Sequence, residues 1–191
     1  SDATCFSFHP VKNLGAYGDA GAIVTNFDTL AYSLRLLINH GRTKHNTHIV
    51  IGTTGRIDTL QAAILSAKLN FLHRGLMQKK HMIEYYKQEL GIMCETIETT
   101  RDSRSANHVF AILVDRRDQL AKFLRAHGIE TGMHYPVPLH LQPAYAYLGY
   151  RKGDFPVAED YATKTLSLPL FPHMTKKQVE YVTDTMRMFY E

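Results

Sequence analysis

Three stretches of this 191-residue chain carry residue types that can do chemistry. The first is Phe6-Ser7-Phe8-His9-Pro10-Val11-Lys12-Asn13-Leu14-Gly15-Ala16-Tyr17-Gly18-Asp19-Ala20-Gly21-Ala22-Ile23-Val24-Thr25-Asn26. It sets one lysine, Lys12, in an apolar run and follows it with a glycine-rich turn. Glycine lets a backbone turn tightly and approach a ligand closely. A lysine partly removed from water gives up its proton more readily and forms Schiff bases with carbonyls. A lone lysine is more often a solvated loop residue, and on residue types alone both readings stand.

The second stretch is Ile51-Gly52-Thr53-Thr54-Gly55-Arg56-Ile57-Asp58-Thr59-Leu60-Gln61-Ala62-Ala63. Glycines, hydroxyls and an arginine ahead of a helix start can hold an anion; the plainer reading of Arg56 is a surface ion pair. The third is Gly132-Met133-His134-Tyr135-Pro136-Val137-Pro138-Leu139-His140-Leu141-Gln142-Pro143-Ala144-Tyr145. Each proline fixes its own φ and restricts the residue before it. The loop is therefore extended and presents its side chains rigidly. Its histidines and Tyr135 can hydrogen-bond a sugar or a phosphate, or can be partners within a packed structural loop. A further group, His40, His45 and His48, has no cysteine or carboxylate to complete a zinc site and reads as a polar loop.

The wording of these stretches resembles the DegT/StrS family, sugar-nucleotide aminotransferases that use pyridoxal 5'-phosphate (PLP) on the type I aminotransferase fold. The resemblance rests on F-S-F-H-P-V-K-N-L-G-A-Y-G-D-A-G-A around Lys12. It rests also on the family's G-x-N-x-R-[LIM]-D-x-[LI]-Q-A-A at 52–63, and on H-Y-P-x-P-L-H-L-Q at 134–142. A fourth match joins Gly149–Glu159 to Leu166–Pro172, and the four are collinear from Cys5 to Val182. It implies that Lys12 is the catalytic lysine that holds PLP and that Ser7, five residues earlier, bonds the cofactor phosphate. It implies that the asparagine of the second motif reaches a neighbouring subunit's PLP phosphate; this chain has Thr54 there, which keeps one hydroxyl donor. Arg56, His134 and Tyr135 fall where the family holds its nucleotide-sugar substrate, with His140 a weaker candidate. Relatives that exchange the lysine for histidine dehydrate or deoxygenate sugars, and Lys12 argues against that chemistry.

The elements that must position these residues follow from pattern. Gly21 to Thr25 reads as a strand. Asp28 can cap a helix running to about His40, with Gly41 as its C-terminal cap. His40 to Ile51 reads as a loop. Asp58-Thr59-Leu60-Gln61 resembles a capping box, opening a helix to Leu90 with Gly75 as a bend or break. Leu60, Ile64, Ala67, Phe71 and Leu72 form its apolar face. A strand at His108–Val114, a helix at Arg116–His127 and a second strand at Ile129–Met133 follow. A helix then starts near Pro156, an extended segment follows it, and the last helix opens on the capping box Thr175-Lys176-Lys177-Gln178.

The expected class is α/β: the C-terminal part of a type I PLP-dependent aminotransferase fold. Residues 1–75 are expected to be a remnant of the large PLP-binding domain, and 76–191 a small C-terminal α/β domain. Hydrophobic residues at 45% and charged residues at 21% are ordinary for a globular protein. No apolar run reaches the ~20 residues needed to span a bilayer. Cys5 and Cys94 suggest no disulfide framework, and a reducing cytoplasm is expected. The net charge of +4 is scattered among acids, which suits an anionic substrate better than nucleic acid. The resemblance implies transamination of a nucleotide-linked keto-sugar, glutamate as amino donor, a homodimer with a shared active site, and a role in polysaccharide or lipopolysaccharide synthesis. The rival is a regulatory or catalytically incomplete relative that binds sugar nucleotide or dimerises without turnover. A chain of this kind is expected to expose apolar surface on the lysine segment, on the Gly21–Thr25 strand and on the face of the 58–90 helix.

Overall fold

The computed structural model describes residues 1–191, which separate into two compact units, Ser1–His73 and Arg74–Glu191. In the first, β1 (Thr4–Ser7) pairs antiparallel with β2 (Gly21–Val24), with Thr4 opposite Val24 and Ser7 opposite Gly21. The register places residues 8–20, Lys12 among them, in the connection between two paired strands. Helix α1 spans Asp28–Leu37. Asp28 is not its cap. Phe27 holds that position without a side-chain bond, and Asp28 sits in the first turn, where its charge complements the helix dipole. The helix stops short of His40 because the chain turns back there. His40 and Gly41 are left-handed, and the Gly41 N–H donates to the Leu36 carbonyl at 2.7 Å.

The histidine-rich stretch that reads as a loop contains a small hairpin, β3 (Arg42–Lys44) against β4 (Thr47–His48). Left-handed Asn46 makes its turn, a conformation that asparagine tolerates. Helix α2 (Thr59–Leu90) belongs to both units and runs through Gly75 without a break. One glycine costs about 1 kcal/mol in a helix, less than strong helix formers on both sides supply. The predicted apolar face of α2 is largely open to solvent: Leu60 is 70% and Phe71 67% exposed. Phe6, Ile23 and Val24 of β1 and β2 are exposed too, as are Val11 and Tyr17 of the segment between them.

The second unit is built on an antiparallel sheet in the order β5 (Glu95–Thr96), β6 (Phe110–Leu113), β7 (Thr165–Leu168). Phe110 lies opposite Leu168 and Leu113 opposite Thr165. Helices α3 (Arg117–Ala126), α4 (Pro156–Lys164) and α5 (Lys176–Tyr190) complete it. Tyr86, Ile112, Leu120, Leu124, Leu166 and Met186 are buried in its core. Ile129–Met133 is not a strand. Its apolar pattern is met by burial of Ile129 in that core, and its pairing is reduced to a bridge between Gly132 and Ser167. The Thr175–Gln178 capping box is formed in both directions. The C-terminal end of α4 is held by Arg117, whose buried guanidinium donates to the Ala162 and Thr165 carbonyls. No helix is long and apolar enough to cross a membrane.

Candidate active site

Lys12 lies in a tight turn directly after β1 and is half-buried. Three backbone bonds close the segment. Phe8 N–H donates to Ala20 O, Ala16 N–H to Phe8 O and Lys12 N–H to His9 O, each at 2.8 Å. Gly15 is buried, and a Cβ on it would sit 2.3 Å from the Pro10 carbonyl oxygen, so only glycine lets the two limbs of the turn approach. Ser7 ends β1 with an exposed side chain, and its Oγ accepts the His9 N–H at 3.4 Å. Ser7 and Lys12 are thus fixed to one another through the His9 backbone.

Two side chains of α2 grip the same turn. Gln61 Oε1 accepts the Tyr17 N–H at 2.8 Å. Lys68 Nζ donates to the Gly15 carbonyl at 2.5 Å and lies 5.5 Å from the centre of the Tyr17 ring. The reading of Gln61 as a capping-box partner of Asp58 is corrected by this contact: its carbonyl is committed to the lysine turn. Neither role is legible from local pattern. The only signal was that Gln61 falls within the Q-A-A wording.

Thr54 and Arg56 lie on a segment bound to the end of α1. Thr53 N–H donates to Leu37 O at 2.8 Å and Gly55 N–H to Ile38 O at 2.8 Å. Thr54 forms a bridge with Asn39, and its hydroxyl meets His40 Nε2 at 3.0 Å. Arg56 is exposed and joins no ion pair, so the plain reading of its charge is not met within the chain.

His134 and Tyr135 belong to the second unit. His134 Nδ1 bonds Ser167 Oγ of β7 at 2.9 Å, which leaves Nε2 as the ring's other polar atom. Gly132 and Ser167 exchange backbone bonds of 3.0 and 2.7 Å beside it. A Cβ on Gly132 would stand 2.6 Å from the His134 ring, so the ring folds back over a position only glycine can fill. Tyr135 is exposed at the rim of a cavity of about 850 Å³ lined by Tyr135, Pro136, Val137, His140, Phe155 and Tyr161 among others. That volume is within the usual range for a small-molecule site. His140 faces Glu159 Oε1 at 3.0 Å. The Gly153 N–H bonded to Glu159, and then His140, hold that carboxyl below the usual carboxylate range, against an opposing effect of burial.

A primary amine and a hydroxyl carried on one turn closed by backbone bonds can hold a carbonyl compound that carries an anionic group. In the same unit, Thr54 and the exposed Arg56 offer hydrogen-bonding and cationic groups suited to phosphates; in the second unit, separately, the His134–Tyr135 pair offers hydrogen-bonding groups suited to a sugar or a phosphate.

The profile of the DegT/DnrJ/EryC1/StrS aminotransferase family matches residues 1–187. The chain is 42% identical over 192 aligned residues to a pleiotropic regulatory protein of Geobacillus stearothermophilus, covering 98% of this chain and 52% of that protein. It is 39% identical to the dTDP-3-amino-3,4,6-trideoxy-alpha-D-glucose transaminase of Streptomyces venezuelae, covering 100% of this chain and 51% of the relative. A solved structure of S. venezuelae DesV, described as a complex with a ketimine intermediate, superposes with a TM-score of 0.92 at 39% identity, over 99% of this chain and 52% of that one. The chain spans about half the length of the curated relatives it matches. With 187 consecutive positions under one family profile, the chain belongs to the DegT/DnrJ/EryC1/StrS aminotransferase family.

Proposed function

We propose that this chain is the lysine-bearing part of a PLP-dependent aminotransferase acting on a nucleotide-linked keto-sugar. The observation that carries the reading is Lys12, half-buried on a turn closed by backbone bonds and tied to Ser7 through His9. The donor set fits PLP: Lys12 offers the amine for its aldehyde, and Ser7 offers a hydroxyl for its phosphate. Thr54, whose hydroxyl meets His40 within the chain, is the proposed second phosphate donor, for the cofactor of a neighbouring subunit in a homodimer. When bound, PLP supplies an electron sink for charge developing at the substrate carbon. Lys12 Nζ, when free of its carbonyl partner, would carry a proton between C4′ of the cofactor and the sugar carbon that bears the nitrogen. Arg56 balances the negative charge of the sugar nucleotide, and His134 and Tyr135 orient the sugar through Nε2 and the phenol. Glutamate is the proposed amino donor, surface polysaccharide the proposed pathway, and the cytoplasm the proposed location.

The test is an absorption titration of the whole gene product with PLP, alongside Lys12→Ala, followed by borohydride reduction and peptide mapping. A visible band lost in the variant, with the label on Lys12, is expected. A label elsewhere refutes the assignment. The name of the G. stearothermophilus relative favours a second reading, a regulator that binds sugar nucleotide without turnover. Under that reading the protein binds nucleotide sugar, yet glutamate leaves the band unchanged.

A further inference from the structure

The loop from His134 to His140 is fastened at both ends. At its start, His134 Nδ1 is bound to Ser167, which is 5% exposed on β7. At its end, His140 Nε2 meets Glu159 Oε1 at 3.0 Å, and the side chains of this pair are only 8% and 15% exposed. The same Glu159 oxygen accepts the Gly153 N–H at 2.7 Å, which ties the turn before α4 into the contact. The His140 ring packs on Phe155 at 4.8 Å, and Phe155 meets the edge of Tyr150 at 5.1 Å. Between the two fastenings Pro136 and Pro138 stiffen the backbone, and Tyr135 and Val137 stand exposed at the cavity rim.

His134 is exposed at the cavity, whereas the His140 side chain is only 8% exposed and packs against Phe155. His140 commits Nε2 to a carboxylate on another element. We propose that His140 and Glu159 are positioning residues: together they latch the His134–Tyr135 loop onto α4, and His140 itself makes no contact with the ligand. The proposal rests on the reading of His134 and Tyr135 as substrate-facing. It adds Glu159, which lies outside the loop, to the residues that determine how the sugar nucleotide is held.

The experiment uses the whole gene product, with UDP and dTDP as probes in calorimetry and hydrogen exchange of peptides covering 132–142. His140→Ala and Glu159→Ala are each expected to weaken binding about tenfold, and the double variant no further, because both remove one shared contact. Exchange of 132–142 rises in all three. Glu159→Gln keeps an acceptor for His140 and Gly153 and stays within about threefold of the natural protein. Should an alanine variant fail to fold, His140→Leu and Glu159→Met, which keep volume and remove the shared contact, carry the same comparison. Additive losses in the double variant, or a larger loss for His140→Ala than for Glu159→Ala, make His140 a ligand contact and overturn the proposal. Unchanged exchange in 132–142 overturns it as well. If His134→Ala and Tyr135→Phe bind both probes normally while the latch variants still loosen the loop, the sugar-nucleotide reading fails and the latch stands.

Discussion

Replacing Lys68 with methionine keeps the apolar stem and removes the ammonium that holds the Gly15 carbonyl. The contact is a charged hydrogen bond of 2.5 Å to a buried residue. Such bonds contribute about 1.5–3 kcal/mol, and the lower end applies because Lys68 itself is only half-buried. The ammonium also lies 5.5 Å from the Tyr17 ring centre, an arrangement that adds about 0.5 kcal/mol at a partly exposed site. The sum is about 2 kcal/mol, borne by the turn that presents Lys12. If the turn must be closed to hold PLP, cofactor affinity falls by about 30-fold. The assay is an absorbance titration of the whole gene product with PLP, with Lys68→Arg as the variant that keeps a donor. Lys68→Met binding PLP within twofold of the natural protein would refute the argument. It would mean that the turn is held without α2.

Other expectations follow from the same structure. Gly15→Ala forces its new methyl against the Pro10 carbonyl, so it opens the turn, and borohydride trapping at Lys12 falls at least tenfold while helix content by circular dichroism is unchanged. Leu124→Ala empties a fully buried position in the second unit and costs about 3 kcal/mol, read as a shift in urea midpoint. Burial pushes the Cys94 thiol up to about 11, so at pH 8 only about one Cys94 in a thousand is thiolate; iodoacetamide labels exposed Cys5 first, and rapid labelling of Cys94 in the native protein would contradict that burial. Glu159 is held below its ordinary 4.5 by the Gly153 N–H and then by His140. Its contribution to stability is therefore complete above that value and is lost as the pH falls through its lower folded value. Glu159→Gln flattens the acid limb of the stability profile below about pH 4.5, and an unchanged limb would show that the carboxylate is not held by these donors.

Elements whose signals are local were legible in the sequence. The Thr175–Gln178 box sits at the start of α5, the turn at Gly91 follows the end of α2, and Pro156 opens α4. Signals that depend on distant partners misled. Ile129–Met133 has strand composition, but its strand pairing is a single bridge from Gly132 to Ser167, while the Ile129 N–H closes the end of α3 on the Leu124 carbonyl. Gly75 reads as a break, yet Pro172 packs 3.5 Å from where its Cβ would be, a neighbour that no local pattern reveals. The hairpin at 42–48 lacks an apolar alternation because both its strands are largely exposed. The site divides the same way. The wording around Lys12, Arg56 and His134 is contiguous and could be recognised. The grip of Gln61 and Lys68 on the lysine turn joins residues 44 and 53 positions apart, and nothing in either segment announces the other.

The pairing of β6 with β7 has a consequence for the order in which the protein matures. β6 is complete at Leu113, but its partner residues are Thr165–Leu168, so the middle strand waits for more than fifty residues to be synthesised before one edge is covered. During that interval the edge offers free N–H and C=O groups flanked by Phe110, Ile112 and Leu113, the kind of surface that recruits foreign strands. Non-local pairing of this sort also slows folding. A chain truncated between Val114 and Lys164 therefore carries an open apolar edge and is expected to aggregate more readily than the full sequence.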